Sequence, residues 1–358
     1  MSWFVFWEFV IVILKIGLVM GISMGTVSYL IMLERKIAAW AQDRLGPNRV
    51  GPYGLIQPLV DGAKMILKED VTPDYVAKPI YILAPAIAII AAIIGFAVVP
   101  FGPVGANAPT AFGGHRFDFQ IAPYVDIGML YILSIGSLGV YGVILAGWAS
   151  NSKYSFLGGL RSSAQLISYE IPMGMSILGM ILLTGSLDLN QIIQWQDRHV
   201  WGIFVQPLGF LLFLVSAFAE TNRLPFDLPE AEQELVGGFH TEYSAMKFGM
   251  FFLGEYLHVI TVSFLVVILF GGGWDLFGLI NYDQTGWIAA AAKLAVICAK
   301  VMGMIIFMMW VRWTLPRFRY DQLMDLAWKT MIPLSLVNLL ATAAGIYFFR
   351  DLLGWKFY

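Results

Sequence analysis

Cysteine occurs once in the 358 residues, at Cys298, inside an apolar stretch. One thiol excludes a disulfide framework, an iron–sulfur cluster or a cysteine zinc site built from this chain alone, so any redox cofactor belongs to partner chains. Charge is also scarce. Only 13% of residues are charged, about half the share usual in a soluble domain. The net charge of -2, with lysines and arginines mostly in short loops and in no continuous patch, gives no footprint for nucleic acid. His115, His199, His240 and His258 show no paired ligand spacing, so no metal site is expected. Nucleophile elbows, phosphate loops and dinucleotide fingerprints are absent too.

What fills the chain is apolar: 59% of it is hydrophobic. About eight runs reach the roughly 20 residues that cross a hydrocarbon core as a helix. They lie near 9–33, 80–102, 123–148, 166–187, 200–219, 248–273, 286–311 and 332–349. The expected fold is therefore all-α, a polytopic integral membrane protein forming a single membrane domain. Ser168, Tyr169, Glu170 and Pro172 interrupt the start of the fourth run, where a broken or tilted helix is expected. The first run is too long for a signal-peptide core and reads as a retained span.

Of 22 lysines and arginines, 15 fall in the segments 34–79, 149–165, 220–247 and 312–331, and 4 in the termini and other loops. That asymmetry predicts those segments on the cytoplasmic side and both termini opposite. Within the first, Leu55, Ile56, Leu59, Val60, Ala63, Ile66 and Leu67 recur at helical spacing, with Gln57, Asp61, Lys64 and Lys68 on other faces. This pattern suits an amphipathic helix in the membrane interface, and equally a helix packed on the protein's own loops.

Ionisable groups inside spans cost at least a few kcal/mol each near the bilayer centre. Glu170 opens the fourth span, Glu220 closes the fifth and Glu255 lies about two turns into the sixth. The topology brings all three toward one side, where a cluster would have coupled proton affinities suited to a proton path. Acids near span ends also snorkel to headgroups or pair with arginine; the deeper Glu255 favours function. Lys293 and Lys300 share a face of the seventh span and either extend that path or are satisfied by carbonyls. Lys15 reads as structural and Asp126 as solvated.

The segment 220–247 carries Glu220, Asp227, Glu230, Glu232, Glu234 and Glu242 against Arg223 and Lys247. Pro225 and Pro229 stiffen it while Gly237 and Gly238 loosen it. It reads as a gate or relay, or as an acidic face for a basic partner. Arg35, Arg44, Arg49, Arg312, Arg317 and Arg319 are more arginine than orientation needs; they suit anionic oxygens, including those of lipid headgroups.

Five stretches carry a family resemblance: Glu34-Arg35-Lys36, RLGPNRVGPYGLIQPLVDGAK at 44–64, RSSAQLISYE at 161–170, ETNRLPFDLPEAEQELVGGFHTEYS at 220–244 and RWTLPRFRYDQLMDLAWK at 312–329. In them the sequence resembles the H subunit of bacterial NADH-quinone oxidoreductase, equivalent to subunit 1 of mitochondrial complex I. The resemblance implies the membrane half of a quinone chamber, with quinone as substrate and flavin and iron–sulfur clusters in partner subunits. Arg35, Arg44, Asp61, Arg223 and Arg312 would line or support the chamber. Glu170, Glu220 and Glu255 would begin a proton path, with Asp227, Glu230, Glu232 and Glu242 in a coupling loop. About the second to sixth spans would resemble half an antiporter fold. Implied partners are the peripheral iron–sulfur and quinone-site subunits, antiporter-like and small membrane subunits, and membrane lipids.

One departure stands out. Some members carry a further acid in the middle of the third span, whereas here it reads Ser134-Ile135-Gly136, which leaves a gap in the carboxylate chain. Alternatives are a free-standing proton or ion transporter and a membrane subunit of a related membrane-bound hydrogenase. Length and end sequences favour a bacterial inner membrane over a mitochondrial one.

Overall fold

The computed structural model describes residues 3–110, 116–227, 236–276 and 278–348, with side chains from Phe9 onward. Its elements are α1 (Trp3–Ala41), α2 (Gln57–Leu67), α3 (Lys78–Ile94), α4 (Gly128–Ala149), α5 (Lys153–Thr184), α6 (Leu189–Arg198), α7 (Gly202–Val205), α8 (Pro207–Glu220), α9 (Ala245–Leu269), α10 (Trp287–Thr314) and α11 (Tyr320–Asp325). A π-helical turn, Leu326–Met331, then leads into α12 (Ile332–Tyr347). No strand occurs among the described residues, which show only an isolated bridge between Thr110 and Arg116.

The protein is an all-α polytopic membrane protein. Seven helices among the described residues are long and apolar enough to cross a membrane. Their outward faces remain apolar: Leu14 is 65% exposed, Trp310 63% and Leu340 62%. Faces of that kind are compatible with lipid and not with water.

The run expected over 200–219 is broken into α7 and α8. Pro207 disfavours helical backbone at the residue before it, and Gln206 accordingly leaves the helix at φ -129°, ψ 63°. Its amide then finds partners on two other helices, donating to Gly179 O at 3.2 Å and Thr342 Oγ1 at 2.7 Å and accepting from Asn338 Nδ2 at 3.2 Å. The opposite occurs at 149–165. That segment is helical from Lys153, and α5 runs unbroken through Pro172 where an interruption is expected from sequence. Proline costs the helix one backbone bond, to the Ser168 carbonyl, but the close packing of α5 against α4, α8 and α12 holds it.

At the centre lies α9, whose residues from Val259 to Leu269 are all buried. It packs on α1, α2, α3, α6, α8 and α10. Small residues let the neighbouring backbones approach closely; a Cβ on Gly142 of α4 would stand 3.1 Å from Ala84 O of α3. On α2, Leu59, Ile66 and Leu67 are exposed, so the protein's own loops do not cover them.

Candidate functional site

Helices α3, α4, α5, α8 and α9 line a cavity of about 60 Å³, room for roughly four waters. Glu170 of α5, Glu220 at the end of α8 and Glu255 of α9 all line it. The three carboxylates, expected to gather toward one side, line one internal space. Ser137 Oγ of α4 donates to Glu170 Oε1. Glu220 Oε2 is buried with no hydrogen-bond partner in the protein among the described residues. Thr221, Asn222 and Phe239 complete part of the wall, so both described ends of the acidic loop reach the cavity.

Gly136 of α4, the last residue of the Ser134-Ile135-Gly136 stretch, faces this space. A Cβ there would lie 3.7 Å from Glu220 Oε1. One turn further, a Cβ on Gly139 would lie 3.4 Å from Nε2 of His258, which also lines the cavity. Sequence alone assigns His258 no role. It stands one turn from Glu255 on the same face of α9, a spacing visible in the sequence but meaningful only once α4 is placed opposite.

A second cluster forms at Glu34, near the end of α1 and 5% exposed. Arg312 Nη1 donates to its Oε1, Arg223 Nη1 donates to Oε2 at 3.2 Å, and Tyr256 OH donates to Oε2 at 2.5 Å. The Arg223 guanidinium also lies 4.1 Å from the centre of the Tyr256 ring. One carboxylate therefore joins α1, the acidic loop, α9 and α10. Glu34 falls within a family motif, yet nothing local in the sequence gives it a role, because its partners are 189 and 278 residues away.

Of the other expected chamber residues, Arg35 and Asp61 pair at 2.6 Å, joining α1 to α2, and Gln57 Nε2 donates to Asp61 Oδ1 at 2.8 Å. The Arg44 side chain bonds to Gln42 Oε1 at 2.7 Å and not to that pair. Asp227 is buried and pairs with Arg317 at 3.1 Å. Glu242 accepts from Tyr75 OH at 2.7 Å, and that bond raises the Tyr75 pKa. Glu230 and Glu232 lie outside the described residues. The first part of the acidic loop is held from beneath: Gln165 Nε2 donates to Ala219 O at 2.8 Å and Phe226 O at 2.7 Å.

Lys293 and Lys300 find carbonyls. Lys300 Nζ donates to Gly271 O and Asp275 O at 2.7 and 2.5 Å, just beyond the carboxyl end of α9, where the helix dipole favours a cation. Lys293 Nζ donates to Tyr282 O and Gln284 O at 2.7 and 2.8 Å. Beside it, Asp197 Oδ2 accepts from Tyr282 N at 3.2 Å, and burial raises the Asp197 pKa. Lys15 lies 4.9 Å over the Phe117 ring, and Asp126 is exposed.

Fold and site together define a polytopic membrane protein that gathers carboxylates around an internal cavity next to an arginine-clamped loop. Comparison with known proteins gives the family. The chain belongs to the NADH dehydrogenase family, whose model matches residues 14–343. It is 46% identical over 347 residues to the second of the NADH-quinone oxidoreductase H subunits of Koribacter versatilis, covering 93% of this chain and 96% of that one. It is 48% identical over 328 residues to the first of the corresponding H subunits of Geobacter metallireducens, covering 92% and 94%. The first H subunit of the Cytophaga hutchinsonii oxidoreductase is 45% identical over 333 residues, covering 92% and 95%. None of these three is named a hydrogenase or a free-standing transporter.

Proposed function

We propose that this chain is the membrane subunit of a proton-translocating NADH-quinone oxidoreductase, where quinone reduction is coupled to proton movement. The observation that carries the proposal is the shared wall between cavity and acidic loop. Glu170, Glu220 and Glu255 face one water-sized space, and Asn222, one residue from the Glu34-bound Arg223, lines it too.

In this reading the quinone enters from the bilayer beside α1 and α2, and its headgroup meets the Arg35–Asp61 and Glu34–Arg223–Arg312 groups. Partner subunits supply the flavin and iron–sulfur clusters that bring electrons. Reduction adds charge and draws protons locally; the acidic loop, with Asp227, Glu230, Glu232 and Glu242, transmits that change. The proton affinities of Glu220, Glu255 and Glu170 then shift in turn, because carboxylates sharing a cavity titrate together. Protons pass on toward antiporter-like partner subunits. The basic segments face the bacterial cytoplasm, as the lysine and arginine asymmetry favours.

Glu220→Gln tests the coupling: it should abolish NADH-driven proton uptake in membranes carrying the assembled complex. A fully coupled, full-rate variant defeats the reading. Photo-crosslinking with an azido-quinone tests the chamber, with labelling in 34–70 or 220–247 expected and competed by a quinone-site inhibitor. Labelling confined to other subunits removes the quinone from this chain.

A further inference from the structure

A second, smaller cavity of about 20 Å³ lies beyond the first, enough for one or two water molecules. Its walls continue the same helix faces. Along α9 the first cavity touches Gly254, Glu255 and His258, and the second touches His258, Thr261, Val262 and Leu265. On α3 the lining moves from Ala88 to Ala91, Ala92 and Gly95. The second cavity therefore sits one to two turns further from the acidic loop. Among titratable side chains, only Glu220 and His258 line both.

We propose that His258 is a proton-relaying residue joining the carboxylate cavity to this second cavity, opposite the glycines of α4. Its position and the chemistry of its ring support this. Glu220 and His258 stand against successive turns of one face of α4, opposite Gly136 and Gly139, so both side chains occupy space those glycines vacate. The His258 ring lines both cavities, so water in either space can reach it. An imidazole can accept a proton at one nitrogen and release one from the other, which carries a proton past the ring and leaves it neutral in the other tautomer; reorientation of the ring or proton exchange with water in the two spaces then resets it. A histidine in this apolar interior is costly to retain without such use. The charged or titratable groups lining the space it shares are Glu255 on its own helix, Glu220 from α8 and Glu170 from α5; α3 and α4 contribute no ionisable side chain there, and Ser137 of α4 adds a hydroxyl.

The inference rests on the proposed proton path, so Glu220→Gln is measured in parallel. His258→Asn and His258→Gln place an amide near the positions of Nδ1 and Nε2 respectively while removing the ring's proton exchange. NADH-driven proton uptake and quinone reduction are read per assembled complex, with NADH oxidation by an artificial acceptor reporting the intact peripheral arm. A loss of at least about 10-fold in proton uptake is expected, with the artificial-acceptor rate unchanged. Adding Gly139→Glu to a His258→Ala background, which returns a proton-carrying group to the same space from α4, should restore uptake above that of His258→Gln. The relay is overturned if His258→Gln and His258→Asn pump normally per complex while Glu220→Gln does not, an outcome that leaves the proposed function standing. Fewer complexes, each pumping at the normal rate, also overturn it, since that reports a structural role. If neither Glu220 nor His258 matters, both readings fall together.

Discussion

Arg312 and Glu34, 278 residues apart in sequence, close an ion pair that ties the end of α10 to α1. Glu34 also holds Arg223 and Tyr256, so one buried carboxylate is shared by two guanidinium groups. Removing one member of a buried ionic cluster leaves uncompensated charge and costs about 3–5 kcal/mol. Glu34→Gln should therefore lower the temperature at which the purified complex loses quinone reductase activity, and should reduce the amount assembled. Glu34→Gln complexes with unchanged heat stability would show that the arginines have other anions to turn to.

The Arg35–Asp61 pair predicts a different balance. Its side chains are 49% and 32% exposed, and exposed pairs contribute about 1 kcal/mol or less. Asp61→Ala should leave heat stability almost unchanged. Its effect should appear in the quinone dependence, as a KM raised several-fold at an unchanged artificial-acceptor rate, because the pair sets the joint between α1 and α2. A normal KM would remove Asp61 from the chamber.

Which parts are legible from sequence follows from the range over which each signal acts. Hydropathy sums over a whole span, so the long helices and the amphipathic α2 are visible. Gln206 is not, because averaging over a span hides one polar residue, yet that residue and Pro207 break the fifth run. Pro172 misleads in the other direction: a local helix breaker is outweighed by packing from three other helices. At the site, Glu170, Glu220 and Glu255 are legible as acids where acids are costly. Glu34 and His258 are not, since each depends on a distant partner: Arg223 and Arg312 for one, Gly139 for the other.

The glycine at 139 supplies a test of the cavity that leaves every ionisable group in place. Valine there adds atoms beyond a Cβ already 3.4 Å from His258 Nε2, filling the space between α4 and α9. Valine fits a helix at a cost of less than about 1 kcal/mol, so the fold should persist. Gly139→Val should cut proton uptake per electron with the KM for quinone unchanged. Unimpaired pumping would mean that the path does not use this side of the cavity.

Lys300 separates support from transport on the far side. Its two bonds to Gly271 O and Asp275 O hold the chain where it leaves α9, and its ammonium also lies 4.2 Å over the Trp201 ring. Hydrogen bonds from a charged donor are worth about 1.5–3 kcal/mol when broken. Lys300→Met keeps the length of the side chain and removes its donors, so the complex should denature at a lower temperature while each surviving complex moves the same number of protons per electron. A changed proton-to-electron ratio at unaltered stability would instead put Lys300 on the path, extending it from the second cavity toward the segment after α9.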